Sequence, residues 1–318
     1  MTASLPVVVA GDANLDLVLT GDVVPRFGQV EQLIDGAQLV LGGSSAITAA
    51  GVARLGIDTQ LVAVVGGDDF GRLTVEALEA RGVGTEAIRR DTALPSGLSV
   101  ILSTPGDRSI LTLPGTIPAL EADAVLAVLG GIERPGILHV GSYFLQPTLA
   151  ARLPEVFAAA RSAGWLTSLD TNWDPSEQWA GLKDVLPVLD VLLPNAAELR
   201  ALATALGADP EASDTELATG LAVRGPRVVV KDGSRGGWSV GGDGVVVRAP
   251  AISVHVVDTT GAGDSFNAGY LAALAEGRPE GERLAWATVA GGLSTRGAGG
   301  TGAQADRAEL VGRLEASR

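Results

Sequence analysis

Short runs of apolar, mostly β-branched residues recur along the chain, each closed by a glycine or a polar residue. "PVVVAGD" (6–12), "TQLVAVVG" (59–66), "ILHVG" (137–141), "LTSLD" (166–170), "VLLPN" (191–195) and "RVVVKDG" (227–233) carry this pattern. Continuous apolar runs of this length predict strands buried on both faces, as in a parallel sheet. Between them the apolar spacing shifts to a helical period, at about 44–55, 71–80, 148–163, 196–206 and 264–276. That alternation predicts an α/β fold, a mostly parallel central sheet with helices on both faces. Ligands of such sheets bind beyond the carboxyl ends of the strands, where Asp12, Asp170 and Asn195 fall.

Two stretches break the alternation. Residues 17–40 and 95–116 are strand-like with no helix between the strands, and "SVILST" and "SILTL" around "PGD" predict a hairpin. They are expected to form a small β lid. Residues 1–16, 41–94 and 117–318 would then make up the α/β core.

Composition narrows the function. A net charge of −14 leaves no basic field for nucleic acid, so the expected partner is a small molecule. The absence of cysteine excludes disulfides and thiolate chemistry. The start, "MTASLPVVVAGD", has no basic region of a signal peptide, and no stretch approaches the ~20 apolar residues of a membrane span. A cytoplasmic location is expected.

The chemistry concentrates in "VDTTGAGDSFNAGYLAAL" (257–274). Asp264 can be read as a helix cap behind a glycine turn. It can also be read as an acid beside an anion site, because bare N–H groups at a helix start attract anions. Asp258, Thr259 and Thr260 add oxygen ligands that a simple helix start does not need. An acid so placed could take a proton from a hydroxyl attacking a phosphoryl group, and in a loose transition state an ordinary Asp pKa would suffice.

Other motifs lead nowhere. "GAGGTG" (297–302) has too little chain after it for a dinucleotide-binding unit. "GWSVG" (237–241) lies between strand-like runs rather than before a helix, so it is no nucleophile elbow. His139 and His255 provide no metal cluster and read as structural.

The stretch "DTTGAGDSFNAGYLAAL" resembles the C-terminal signature of the ribokinase-like PfkB family of carbohydrate kinases. "GGSSAITAAGVARLG" (42–56) is similar to its N-terminal signature, and "VVGGDDFG" (64–71) to the segment that follows it. "GDANLD" (11–16), "NAAE" (195–198) and "VKDGSRGG" (230–237) fall in the family's order, so the resemblance spans essentially the whole chain. It implies ATP-dependent phosphorylation of a hydroxymethyl group on a sugar or sugar-like substrate. Asp264 would be the general base, and Gly261, Ala262 and Gly263 the anion hole. Asn195 and Glu198 would organise Mg²⁺ through water. Lys231, Asp232, Gly233 and Gly236 would lie beside ATP. Asn14 and Asp16 would bind substrate hydroxyls at the end of the first strand, with Gly42 and Gly43 admitting the sugar. Asp258, Thr260 and a carbonyl near Ala298 resemble a monovalent-cation site for K⁺. The lid in relatives often pairs between subunits, which implies a homodimer.

Two positions depart from the family. Ile47 stands where many relatives carry Asn, and in "DTNWD" Asp174 stands where the pattern has Arg. Both remove polar contacts expected near substrate. The preferred substrate is therefore expected to lack the hydroxyl that the Asn would bind. A nucleoside kinase of the same family and an inactive sugar-binding regulator are the competing readings. Asp264 with its glycine turn intact argues against the regulator.

Overall fold

The computed structural model describes residues 4–104 and 107–316. Its strands, in chain order, are β1 (Val7–Ala10), β2 (Asn14–Thr20), β3 (Gly36–Gly42), β4 (Thr59–Gly66), β5 (Ile88–Asp91), β6 (Leu98–Thr104), β7 (Asp107–Leu113), β8 (Ile137–Val140), β9 (Leu166–Leu169), β10 (Val191–Leu192), β11 (Arg227–Lys231), β12 (Gly237–Val240) and β13 (Val246–Ala249). Nine of them form one sheet in the order β13-β12-β11-β10-β9-β8-β1-β4-β5. Pairing is parallel from β11 to β5 and antiparallel only where β12 and β13 are added at one edge.

The apolar runs form strands because both of their faces are covered. Val7 and Val9 of β1 point into a core shared with the helices Ser44–Arg54, Ala262–Ala275 and Glu280–Ser294. Val8 and Ala10 point into a second core with Leu153–Ser162, Ala196–Ala205 and Asp214–Ala222. Successive strand side chains alternate between faces, so a strand between two cores must be apolar throughout.

Several boundaries differ from the sequence reading. The helix expected over 148–163 is two helices, Pro147–Ala150 and Leu153–Ser162, the second carrying a proline in its first turn. A proline there lacks only an N–H that the helix would leave unpaired anyway. The strand β5, "IRRD", has no apolar run because it closes the sheet's other edge. The helix after the glycine turn starts at Ala262, not at Asp264.

The second sheet has the order β3-β2-β6-β7. β6 and β7 pair antiparallel, as the hairpin reading expected; Pro105 and Gly106 of "PGD" lie outside the described residues. β2 begins at Asn14 and β3 ends at Gly42, so this sheet grows out of both sides of the candidate site. Asn14 and Asp16 therefore stand on β2, beyond the end of β1. Asp16 pairs with Val40 and Ser99 in register and shares their face. The opposite face is apolar: Leu17 lies between Leu39 and Val100, and Val100 opposite Leu111.

Candidate active site

The carboxyl ends of β1, β8, β9 and β11 converge on the start of the Ala262–Ala275 helix. Gly261 is its N-cap, in the left-handed conformation with φ 70°. A Cβ on Gly261 would lie 2.5 Å from Gly300 Cα, so only glycine lets the two loops touch. Asp264 is consequently the third residue of the helix rather than its cap, and its side chain caps nothing. Ala262 N–H is drawn to Thr259 O at 3.2 Å. The N–H groups of Gly261, Gly263 and Asp264 find no acceptor among the described residues, the state of a helix start that can receive an anion.

Asp264 is held from the other side of the site. Ser44 Oγ, at the start of the Ser44–Arg54 helix, donates to Asp264 Oδ1. Asp12 places Ser44 by accepting the N–H groups of Ser44 and Ser45, each at 2.9 Å. Burial pushes the Asp264 carboxyl up to about 7. The Ser44 bond opposes that rise, the Asp170 and Asp12 carboxylates add to it, and Lys231 lowers it. The chemistry could proceed with an ordinary Asp pKa, but the surroundings hold this carboxyl well above it.

Lys231 runs beneath the glycine turn. Its Cδ is 3.5 Å and its Nζ 3.7 Å from where a Cβ on Gly263 would sit. The ammonium pairs with Asp170, whose side chain is fully buried, and Asn267 Nδ2 donates to the same Asp170 oxygen at 2.6 Å. Burial lowers the Lys231 pKa, but the Asp170 and Glu198 carboxylates outweigh it and the net shift is upward. The ammonium is thus a fixed positive charge under the turn.

Asn195 and Glu198 form a capping box. Asn195 Oδ1 accepts the N–H groups of Ala197 and Glu198 at 2.9 Å, and Glu198 Oε2 accepts Asn195 N–H at 2.8 Å. Glu198 Oε1 takes no part in the cap. Burial raises this carboxyl to about 7, with Lys231 opposing and Asp170 adding.

Asp232, Gly233 and Gly236 border a cleft of about 460 Å³ that continues past Lys231 and Gly263. Its walls are apolar, from Ile252, Val254 and Val256 on one side to Gly291 and Gly292 on the other.

At the opposite side of Asp264, Asn14 Nδ2 donates to Asp16 Oδ1 at 3.0 Å. Burial raises Asp16 to about 6, against the hydrogen bond from Asn14. The glycines beside them have a nearer reason than ligand access. A Cβ on Gly42 would fall 2.0 Å from Asp16 Oδ1, and one on Gly43 2.9 Å from Asn14 Oδ1. Ile47 packs its Cδ1 against Gly300 and offers no hydrogen bond from its side chain. Asp174 is turned away: it accepts from Ser176 N, Ser176 Oγ and Trp179 N, closing its own loop.

Asp258 and Thr260 are already engaged. Asp258 accepts Thr260 N–H at 2.9 Å, Thr260 Oγ1 at 2.8 Å and Gly299 N–H at 2.8 Å. Arg108 of β7 donates to Thr260 Oγ1 at 2.8 Å and lies 3.8 Å from Asp258 Oδ1. Thus "GAGGTG", Ala298 included, is the loop packed on the glycine turn, and a strand of the small sheet reaches across to it. Ser239 of "GWSVG" lies within β12 and donates to Glu280 at 2.6 Å, and His139 pairs with Ser168 at 3.0 Å. Among the described residues no cluster of His, Cys, Asp and Glu could hold a metal ion by itself, and no helix is long and apolar enough to cross a membrane. Ser44, Asn172 and Arg108 are the site's unforeseen members: Ser44 and Asn172 lie inside "GGSSAITAAGVARLG" and "DTNWD", but neither motif says that they meet Asp264.

The chain is similar to known proteins in sequence and fold. Residues 5–306 match the family described as pfkB family carbohydrate kinase. The chain is 30% identical over 303 residues to ribokinase from Bacillus subtilis (strain 168), covering 95% of this chain and 97% of that protein. It is 31% identical over 290 residues to the ATP-dependent ribose-1-phosphate kinase of Halopiger xanaduensis, covering 91% of each. Its fold superposes on the Arabidopsis thaliana ribokinase complexed with ribose and ATP, with a TM-score of 0.84 and 27% identity over 98% of this chain and 99% of that one.

The buried pair gives a stability test. Lys231→Met keeps the stem but leaves the fully buried Asp170 without its counter-ion, so unfolding free energy should fall by about 3–5 kcal/mol. Urea unfolding at neutral pH measures it; a loss below about 1 kcal/mol would contradict the pairing.

Proposed function

This chain belongs to the pfkB family of carbohydrate kinases, and on that premise we propose that it transfers the γ-phosphoryl group of ATP directly to a hydroxymethyl group of a sugar or sugar-like substrate. The single observation that carries the assignment is the buried Asp264 beside three N–H groups without acceptors. The acceptor hydroxyl gives its proton to Asp264 as it attacks. The N–H groups of Gly261 and Gly263, with the helix dipole and Lys231, stabilise the charge on the transferring group. Ala262 serves through its place in the turn, because its N–H is already used.

The adenine end of ATP suits the apolar cleft walls, with Asp232, Gly233 and Gly236 at its border. Glu198 Oε1 is the oxygen left over by the capping box, which fits magnesium held through water, with Asn195 orienting it. When bound, the ion would neutralise phosphate charge. A potassium ion near the glycine turn would rely on main-chain carbonyls such as that of Ala298, since Arg108 already faces Asp258 and Thr260. Asn14 and Asp16 bind substrate hydroxyls, and Ile47 contributes none.

Asp264→Asn keeps the shape of the site and should lower kcat by roughly 10²–10⁴-fold. ADP release is measured against a panel of pentoses, ketohexoses, deoxy-sugars and nucleosides. Near wild-type turnover in the mutant would sink the base assignment, and no turnover by the wild type on any member would sink the substrate class. Asp16→Ala should weaken the preferred sugar by about ten- to a hundred-fold, the effect of one buried unpaired polar group.

The apolar face of the small sheet supports a homodimer. Leu39 on β3 is 44% exposed, and Leu111 and Leu113 on β7 are 59% and 51% exposed, so both edges of that face present apolar side chains. Sedimentation at micromolar concentration should give about twice the 32.1 kDa chain mass. Leu111→Glu should return it to one; a wild-type monomer would contradict the pairing.

A further inference from the structure

Behind Asp264 lies a chain of hydrogen bonds that all run one way. Ser142 N–H donates to Asn172 Oδ1 at 3.0 Å. That contact fixes the amide, because its oxygen must face the N–H and its Nδ2 must face the other way. Nδ2 then donates to Ser44 Oγ at 3.1 Å. With Ser44 Oγ accepting there, its single proton is directed to Asp264 Oδ1, which as a carboxylate only accepts. Asp264 Oδ2 accepts no bond from the described residues. Two of the members, Ser142 and Asn172, have φ of 51° and 53°, conformations that L residues rarely adopt. The loops after β8 and β9 are thus bent so that these groups meet.

We propose that Asn172 and Ser44 are positioning residues for Asp264: they pin one carboxylate oxygen and leave the other to receive the acceptor's proton. The inference rests on Asp264 being the base. Bonds polarised in one direction reinforce each other, so the donor at the end of the chain is stronger than an isolated serine. Among the described residues it is the one side-chain donor to the Asp264 carboxylate, and it is neutral in a charged setting. The Asp12 and Asp170 carboxylates favour a protonated Asp264, and Lys231 favours the ionised form.

The direction of the effect follows. A donor stabilises the ionised carboxylate, so its removal makes Asp264 harder to ionise. The carboxyl carbon of Asp264 is titrated by ¹³C NMR in the ligand-free protein, its signal identified by its loss in Asp264→Asn. In Ser44→Ala the midpoint should rise by about one pH unit, the worth of one hydrogen bond to a charged group. In Asn172→Asp it should rise at least as far, because the new carboxylate takes the Ser44 proton for itself and adds negative charge. Ser44→Thr, which keeps the hydroxyl, should restore the wild-type midpoint. The loss of kcat/KM in Ser44→Ala should be steepest at low pH. An unchanged midpoint, with activity lowered equally at every pH, would overturn the proposal and leave Ser44 only a helix-start residue. If Ser44→Ala does not fold, Asn172→Asp decides by the same titration. The titration needs no substrate, so it stands or falls separately from the kinase assignment, which fails only if no acceptor is phosphorylated.

Discussion

Burying a carboxylate is expensive unless something compensates, and the site is built around one such carboxylate, Asp264. It sits in the first turn of a helix, so nearby N–H groups and the dipole favour its charge. It also sits near Asp12 and Asp170, which oppose that charge. The result is a carboxyl poised near neutrality, where small changes in its partners change its protonation. Gly261 makes this placement possible by turning the chain without a side chain where Gly300 must pass.

The surrounding fold supplies rigidity. The strands that deliver Asp12, Ser142, Asp170 and Lys231 are buried between two cores, so their ends cannot shift independently. Asp170 links two of those elements by holding Lys231 of β11 and Asn267 of the helix that carries Asp264. The second sheet closes over the other side through Asn14 and Asp16, and Arg108 ties it to the loop against the glycine turn. Charge placement and packing are therefore one design. The apolar runs position the polar groups that follow them.

Much of this was legible in the sequence because the signals were local. Apolar runs marked the buried strands, and "GAGD" put the candidate base and its turn in four consecutive residues. What escaped depends on residues far apart in the chain. Ser44 meets Asp264 across 220 positions, and Arg108 meets Thr260 across 152. Ser44 lies in a quoted signature, but nothing local says which distant group it meets, and an arginine in a strand is ordinary. Asn195 and Glu198, singled out for magnesium, make the bonds of an ordinary helix start as well. Asp174 looked like a lost contact and proves to close its own turn. The raised pKa of Asp264 was not legible because burial, unlike sequence, is a property of the assembled site.

The most direct test is the pH dependence of kcat/KM for the phosphorylated sugar in the wild-type protein. A base must be ionised to act, so activity should be full above its pKa and fall as pH drops through it. The account predicts an acid limb with its midpoint near 7, where burial places Asp264. A profile that stays flat down to about pH 5, as an ordinary carboxylate with a pKa of about 4 would give, would contradict it.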